Sequence, residues 1–291
     1  MLRSMHGMLY SMHDAFAHCE ALVRSADKDR YLSALFAPAE HRGALYALYA
    51  FHLELSRIPD VVTEPLAGEV RLQWWSEAVY EQRPEEMRGH PVANALIEVI
   101  EQYHLPRRLF DELIEARRTH LGRELFGSVD ELERYARSTS SALMELAARV
   151  MGAAALDYAG PGGISMGIVS LLRNFASDAV RGRVTAPADL MLQTSVLPQD
   201  ILAGRTTLQI VALLKSLRDI AIRHYEEARV LIERDGADAV AAWLPVATVP
   251  LDLRALSRVA DKPFAMPEVP RWRRQWTLWR AARLGYPPAI R

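Results

Sequence analysis

Two stretches decide the fold: Ala44–Asp60, ALYALYAFHLELSRIPD, and Leu171–Arg183, LLRNFASDAVRGR. Both carry apolar residues at helical spacing. Residues four apart lie on one face of a helix, so an Asp-x-x-x-Asp pair in either stretch would offer two carboxylates to one Mg²⁺. Here the paired positions read Ser56–Asp60 and Asn174–Asp178. Each helix keeps one acid where such a pair has two.

The helical period extends outward from these stretches through nearly the whole chain, with no alternating strand pattern. The spacing predicts helices over His13–Ala26, Asp29–Leu35 and Ala39–Ile58, the last opened by Pro38 and closed by Pro59. Further helices are expected over Glu69–Gln82, Val92–Tyr103 and Arg107–Leu121, separated by Pro84, Pro91 and Pro106. Val129–Met151 begins with Ser128 as N-cap and Glu131 in a capping-box position. Gly162–Gly163 is read as opening a helix over Ile164–Val180. Helices over Thr207–Glu233, Trp243–Val259 and Arg271–Arg283 follow. No repeat or linker divides the chain, so the expectation is one all-α domain spanning 1–291, of roughly ten to twelve helices.

Half the residues are apolar and 24% are charged, which suits a globular core, and the net charge of −1 gives no field for nucleic acid. Only Lys28, Lys215 and Lys262 among the 35 basic residues are lysine. Cys19, the single cysteine, permits no disulfide or thiolate metal site within one chain. The N-terminal residues, broken by His6, His13 and Asp14, carry no secretory apolar run. The longest apolar stretch, 239–251, is short for a membrane span and holds Pro245 and Pro250. A chain that does not cross a membrane is expected.

The block Tyr31–Leu35–Phe36–Pro38, Arg42 and Leu45–Phe51 resembles the opening signature of the squalene/phytoene synthase family. Leu172–Arg173, Asp178, Arg181–Gly182–Arg183 and Pro187 resemble its second signature, about 120 residues later. Weaker likeness at Gln73–Trp74–Trp75, His90–Pro91–Val92 and Arg137–Gly152 extends the match over most of residues 25–260. The resemblance implies an isoprenoid-synthase-like bundle around a central cavity, with the Ala39–Ile58 and Ile164–Val180 helices facing each other. Active members join two prenyl diphosphates head to head, and Mg²⁺ held by two aspartate-rich helices neutralises the leaving group.

This sequence departs from that pattern. Asp60 and Asp178 are the only motif acids, Leu53 stands where the family carries arginine, and Gly167 and Ser170 stand where it carries amides. Ser56 and Asn174 offer neutral oxygens in place of carboxylates. Asp60 is either a metal candidate or a turn cap before Pro65; Asp178 is either a metal candidate or the partner of Arg181 or Arg173. The residues matched to the diphosphate region are Arg42, Arg173, Arg181 and Arg183, with Tyr49, Asn174 and Ser56 beside them. They can hold a prenyl diphosphate or an anionic lipid head, or simply be solvated. Tyr46, Tyr49, Phe51, Trp74 and Trp75 are read as core, or as lining for a prenyl chain.

The terminal segment 269–291 is a separate signal. Trp272, Trp276 and Trp279 share a face in RWRRQWTLWRAAR, with Arg273 and Arg274 among five arginines. That pattern fits an interfacial or partner-binding helix, or a helix docked on the domain by its tryptophans. Within the family, FAPAEHRGALYALYAFHLELSRIPDVV and LQWW are most similar to the branch containing the mitochondrial complex I assembly factor and its bacterial relatives. This resemblance implies a non-catalytic, cofactor-free role in respiratory-complex assembly or lipid handling, with a respiratory assembly client as partner. It places the protein in the cytoplasm at the inner membrane, or on the matrix side in a mitochondrion. The alternative is a Mg²⁺-dependent prenyltransferase acting on farnesyl or geranylgeranyl diphosphate.

Overall fold

A computed structural model describes residues 11–62, 64–81, 87, 89–121 and 126–290. The described residues are helical throughout, with no strand among them, as the periodicity predicts. They fall into two compact units, Met1–Leu121 and Gly122–Arg291.

The first unit holds α1 (Met12–Ala26), α2 (Lys28–Ala34), α3 (Ala39–Val61), α4 (Pro65–Val79), α5 (Pro91–Gln102) and α6 (Arg107–Leu121). The organising element is α3, which packs against each of the other five. Every residue from Ala44 to His52 is buried, so this part of α3 is a core helix rather than an amphipathic surface one. Phe51 meets Trp75 edge-on at 5.2 Å and Phe110 at 5.7 Å, joining α3 to α4 and α6.

In the second unit, α7 (Val129–Ala136), a π-helical turn (Arg137–Ser141) and α8 (Ala142–Val150) lead to α9 (Ala159–Val180). Then come α10 (Ala188–Gln193), α11 (Pro198–Leu202), α12 (Leu208–Asp235), α13 (Val240–Trp243), α14 (Val249–Arg258) and α15 (Arg271–Leu284). Here α9 is the hub, packing along α12 and against α7, α8, α11, α14 and the π turn.

Several boundaries differ from the sequence reading. Pro59 does not close α3, which runs through it to Val61 and ends with the Val62 N–H donating to the Ile58 carbonyl at 3.3 Å. Proline removes only one donor, and so near the helix end the lost bond leaves little of the helix to destabilise. α4 starts at Pro65, a favoured first helical position, and the expected end at Gln82 and the break at Pro84 lie outside the described residues. Residues 1–10, including His6, also lie outside them.

The Ser128 cap forms as expected, its hydroxyl accepting from the Glu131 N–H at 3.3 Å. Glu131 reaches back to the Gly127 N–H at 2.7 Å, one residue before the usual capping-box partner. The single helix expected over Val129–Met151 is interrupted by the π turn. Gly162 and Gly163 do not open α9 but lie inside its first turns. A Cβ on Gly163 would fall 2.2 Å from the Ser141 backbone nitrogen, so the glycine lets α9 touch the π turn. The Ser141 hydroxyl donates across that contact to the Gly160 carbonyl at 2.7 Å.

The helix expected over Trp243–Val259 is broken because Pro245 and Pro250 each sit at the start of a new short element. Ala237–Arg258 is long and apolar enough to cross a bilayer, but 83% of its most apolar window is buried inside the protein. It is core.

Replacing Gly163 with alanine should therefore destabilise the second unit by about 1–3 kcal/mol or more, because rigid backbone opposes the new methyl group. Gly160→Ala meets only the flexible end of Arg137 at 3.1 Å and should stay within about 0.5 kcal/mol of the parent. Denaturant unfolding of both variants checks this, and equal midpoints would contradict it.

Candidate functional site

Within the first unit, the polar groups of the acid-pair face sit on one stripe of α3: Tyr49, His52, Ser56 and Asp60, spaced three or four apart. Because α3 continues past Pro59, Ser56 and Asp60 do share a helical face, contrary to the reading that the proline breaks it. Ser56 has both roles of its hydroxyl engaged. It donates to the His52 carbonyl at 2.7 Å and accepts from Arg117 Nη2 on α6 at 3.0 Å. Asp60 is exposed in the last turn.

Deeper along the stripe, His52 and Tyr49 are buried, with the His52 Nδ1 and the Tyr49 hydroxyl lacking hydrogen-bond partners. Burial, reinforced by Arg30 and Arg117, pushes the imidazole well below its usual range. Burial likewise pushes the Tyr49 hydroxyl up, and the Arg30 guanidinium lies 5.7 Å from its ring centre. At this buried end the stripe carries a neutral imidazole and a neutral phenol. Arg42 is half-buried and donates from Nε to the Ala37 carbonyl at 2.9 Å, fixing the turn that launches α3. Tyr46, Tyr49, Phe51 and Trp75 are buried in the core, and Tyr46 stacks on Tyr31 at 5.6 Å.

Within the second unit, the Arg181–Gly182–Arg183 sequence terminates α9. Gly182 adopts φ of +73°, its N–H donates to the Ala179 carbonyl at 3.0 Å, and the Arg183 N–H donates to the Asp178 carbonyl at 2.8 Å. This pair of bonds is a Schellman termination, which needs a residue tolerant of positive φ at the glycine position. It also folds the Arg183 side chain back onto Asp178, where Nη2 meets Oδ1 at 2.7 Å. A carboxylate in the last turn opposes the helix dipole, and the guanidinium offsets it. Asp178 is thus paired, but with Arg183 rather than with Arg181 or Arg173. Asn174, four residues earlier, is exposed. Gly167 has a packing reason, since a Cβ there would come 2.8 Å from the Ala136 side chain.

Arg173 instead reaches Asp252 of α14 at 3.6 Å, and Arg274 of α15 also pairs with this aspartate, which is 5% exposed. Asp252 carried no signal in the sequence, yet it ties the terminal helix to α9 and α14. The apolar part of α15's attachment is Leu278 and Ala281. The tryptophans are not part of it: Trp272, Trp276 and Trp279 are 63%, 57% and 44% exposed. Trp276 and Trp279 stack at 4.9 Å, Arg273 lies 5.2 Å from the Trp272 ring centre, and Arg283 lies 5.5 Å from that of Trp279.

Neither unit by itself supplies the pair of motif carboxylates that a Mg²⁺ site of this kind would use. The ion prefers hard, charged oxygens in a near-octahedral shell. The first unit offers one motif carboxylate beside an occupied serine hydroxyl, and the second offers a carboxylate already bound to arginine. Among the described residues no group of three or more His, Cys, Asp or Glu side chains is placed to hold a metal.

Two outcomes follow. Asp252→Ala removes the anion that holds Arg173 and Arg274, so amide exchange across Arg271–Leu284 should accelerate while the first unit stays protected. Unchanged exchange in α15 would contradict this. Second, the folded pKa of His52 is depressed, so as pH falls below 6.5 the unfolded chain takes up a proton that the folded chain refuses. Stability should then drop by up to about 1.4 kcal/mol per pH unit from this group. His52→Gln should flatten the slope of denaturant midpoint against pH between about 6.5 and 5.

The comparisons agree with this architecture. The squalene/phytoene synthase model matches residues 23–280. Assembly factor 6 of NADH dehydrogenase (ubiquinone) complex I from Rattus norvegicus is 30% identical over 249 residues, covering 84% of this chain and 75% of the relative. Phytoene synthase of Arthrospira platensis is 25% identical over 214 residues, covering 66% and 67%. In three dimensions, squalene synthase HpnC from Alicyclobacillus acidocaldarius aligns with a TM-score of 0.75 at 20% identity, covering 87% of this chain and 97% of that one. With the family model matching most of its length, the chain belongs to the squalene/phytoene synthase family.

Proposed function

We propose that this chain is a non-catalytic member of its family, acting at a membrane surface as an assembly or lipid-handling factor for a respiratory complex. The observation that carries this reading is the engagement of the motif positions: Ser56 with His52 and Arg117, Asp178 with Arg183. Ionising an allylic diphosphate requires cations held against a multiply charged leaving group, and each 1.4 kcal/mol of lost stabilisation lowers the rate about tenfold. The likeness to the rat assembly factor over 84% of the chain supports the assembly role. The exposed tryptophan face of α15, with Arg273 and Arg283 beside it, supports peripheral attachment to an anionic bilayer. In this reading the protein needs no metal. An anionic lipid head or prenyl diphosphate held by the motif arginines would have to compete with Asp252 for Arg173 and with Asp178 for Arg183.

The competing reading is a Mg²⁺-dependent head-to-head prenyltransferase using farnesyl or geranylgeranyl diphosphate, favoured by the likeness to phytoene synthase. Diphosphate release from either compound with excess Mg²⁺ separates the two. Release at the buffer level is expected. Turnover that Asp178→Ala abolishes would establish the enzyme instead.

Membrane attachment is tested by sedimentation with anionic vesicles, comparing the full chain with Trp272→Ala/Trp276→Ala/Trp279→Ala. The parent should sediment and release in salt, since screening shortens from about 10 Å at 0.1 M to about 3 Å at 1 M. The variant should remain folded, because these rings are exposed, and stay in solution. Equal sedimentation of parent and variant would remove α15 from the mechanism.

A further inference from the structure

The first unit contains a cavity of about 450 Å³ that the acid-pair face does not account for. It is lined by Glu54, Arg57, Ile58 and Val61 of α3, Arg71, Trp74 and Trp75 of α4, and His90, the N-cap of α5. The four α3 residues recur at i, i+3, i+4 and i+7 and so form one face. Ser56 follows Glu54 by two residues, about 200° around the helix, whereas Asp60 follows Arg57 by three and borders the cavity face. The cavity therefore opens away from Ser56, with Asp60 at its edge and not among its lining residues.

Its walls are rigid. Trp74, Trp75 and His90 form a mutual cluster with ring centres 5.0–5.2 Å apart, and Trp75 is buttressed by Phe51 from the core. His90 accepts the Ala93 N–H at Nδ1, so its neutral ring carries the proton on Nε2, and burial lowers its pKa and keeps it neutral near pH 7. Arg57 and Arg71 are exposed, and among the described residues neither makes an ion pair. Two guanidiniums and one carboxylate, Glu54, give the lining a formal charge of +1. That charge suits a monoanion and does not suit a diphosphate. The apolar walls are formed by indole faces, Ile58 and Val61. A volume of this size falls in the roughly 300–1,000 Å³ range of small-ligand sites.

We propose that this cavity binds a small amphiphile whose singly charged carboxylate or phosphodiester meets Arg57 and Arg71 and whose apolar chain lies against Trp74 and Trp75. It is a site separate from the motif face, with a different charge preference. The lipid source is either a free fatty acid or a phosphate-headed lipid, and the two probes below distinguish them.

The test is calorimetric titration of the full chain with decanoate, decyl phosphate as its singly charged methyl diester, decyl diphosphate and decyltrimethylammonium, each kept monomeric. Saturable one-to-one binding of decanoate or the decyl phosphate diester is expected, and whichever is tighter names the source. Arg57→Gln/Arg71→Gln should weaken it about tenfold or more, since charge-assisted hydrogen bonds are lost. Glu54→Gln should raise affinity for decyl diphosphate, because the lining charge becomes +2. Trp272→Ala/Trp276→Ala/Trp279→Ala should leave binding unchanged, which separates this site from the terminal helix. The proposal is overturned if neither monoanion saturates, if decyltrimethylammonium binds as well, or if the arginine pair can be removed without effect while circular dichroism shows the fold intact.

Discussion

A carboxylate held in the last turn of a buried helix has to be neutralised, and in this protein the neutralising group comes from the helix's own termination. Asp178 lies at the C-terminal end of α9, where the dipole is unfavourable to it, and the positive φ at Gly182 turns Arg183 back to meet it at 2.7 Å. The same logic governs the other motif helix, where the Ser56 hydroxyl is satisfied by a backbone carbonyl and an arginine. Polar groups that a metal site would leave available are used to complete the fold.

Fold and family were legible because they rest on pattern. The burial of Ala44–His52 on every side follows from the run of apolar residues, which makes α3 the hub of its unit as α9 is of the other. Local chemistry was readable where it depends on near neighbours, as at the Ser128 cap. What the sequence hid depends on contacts distant along the chain. The π turn and Gly163 explain each other only when Ser141 is seen against α9. Pro59 looked like a terminator because its distance from the helix end was unknown. Asp252 is one acid among many until Arg173 and Arg274 arrive from other helices.

The terminal helix shows how the same composition can serve two ends. Its arginines divide, with Arg274 drawn onto Asp252 while Arg273 and Arg283 stay beside exposed indoles. Leu278 and Ala281 face inward, so docking does not consume the tryptophans. A helix attached by one face and aromatic on the other presents that second face to its surroundings.

In the proposed reading the motif positions form no divalent-cation site. Mn²⁺, a paramagnetic stand-in for Mg²⁺, measures this directly: binding broadens and removes the sharp spectrum of the free ion. Titrated into the full chain with inorganic diphosphate present, Mn²⁺ should give the same spectrum as in diphosphate alone. A saturable loss of signal that Asp178→Asn or Asp60→Asn abolishes would contradict the account.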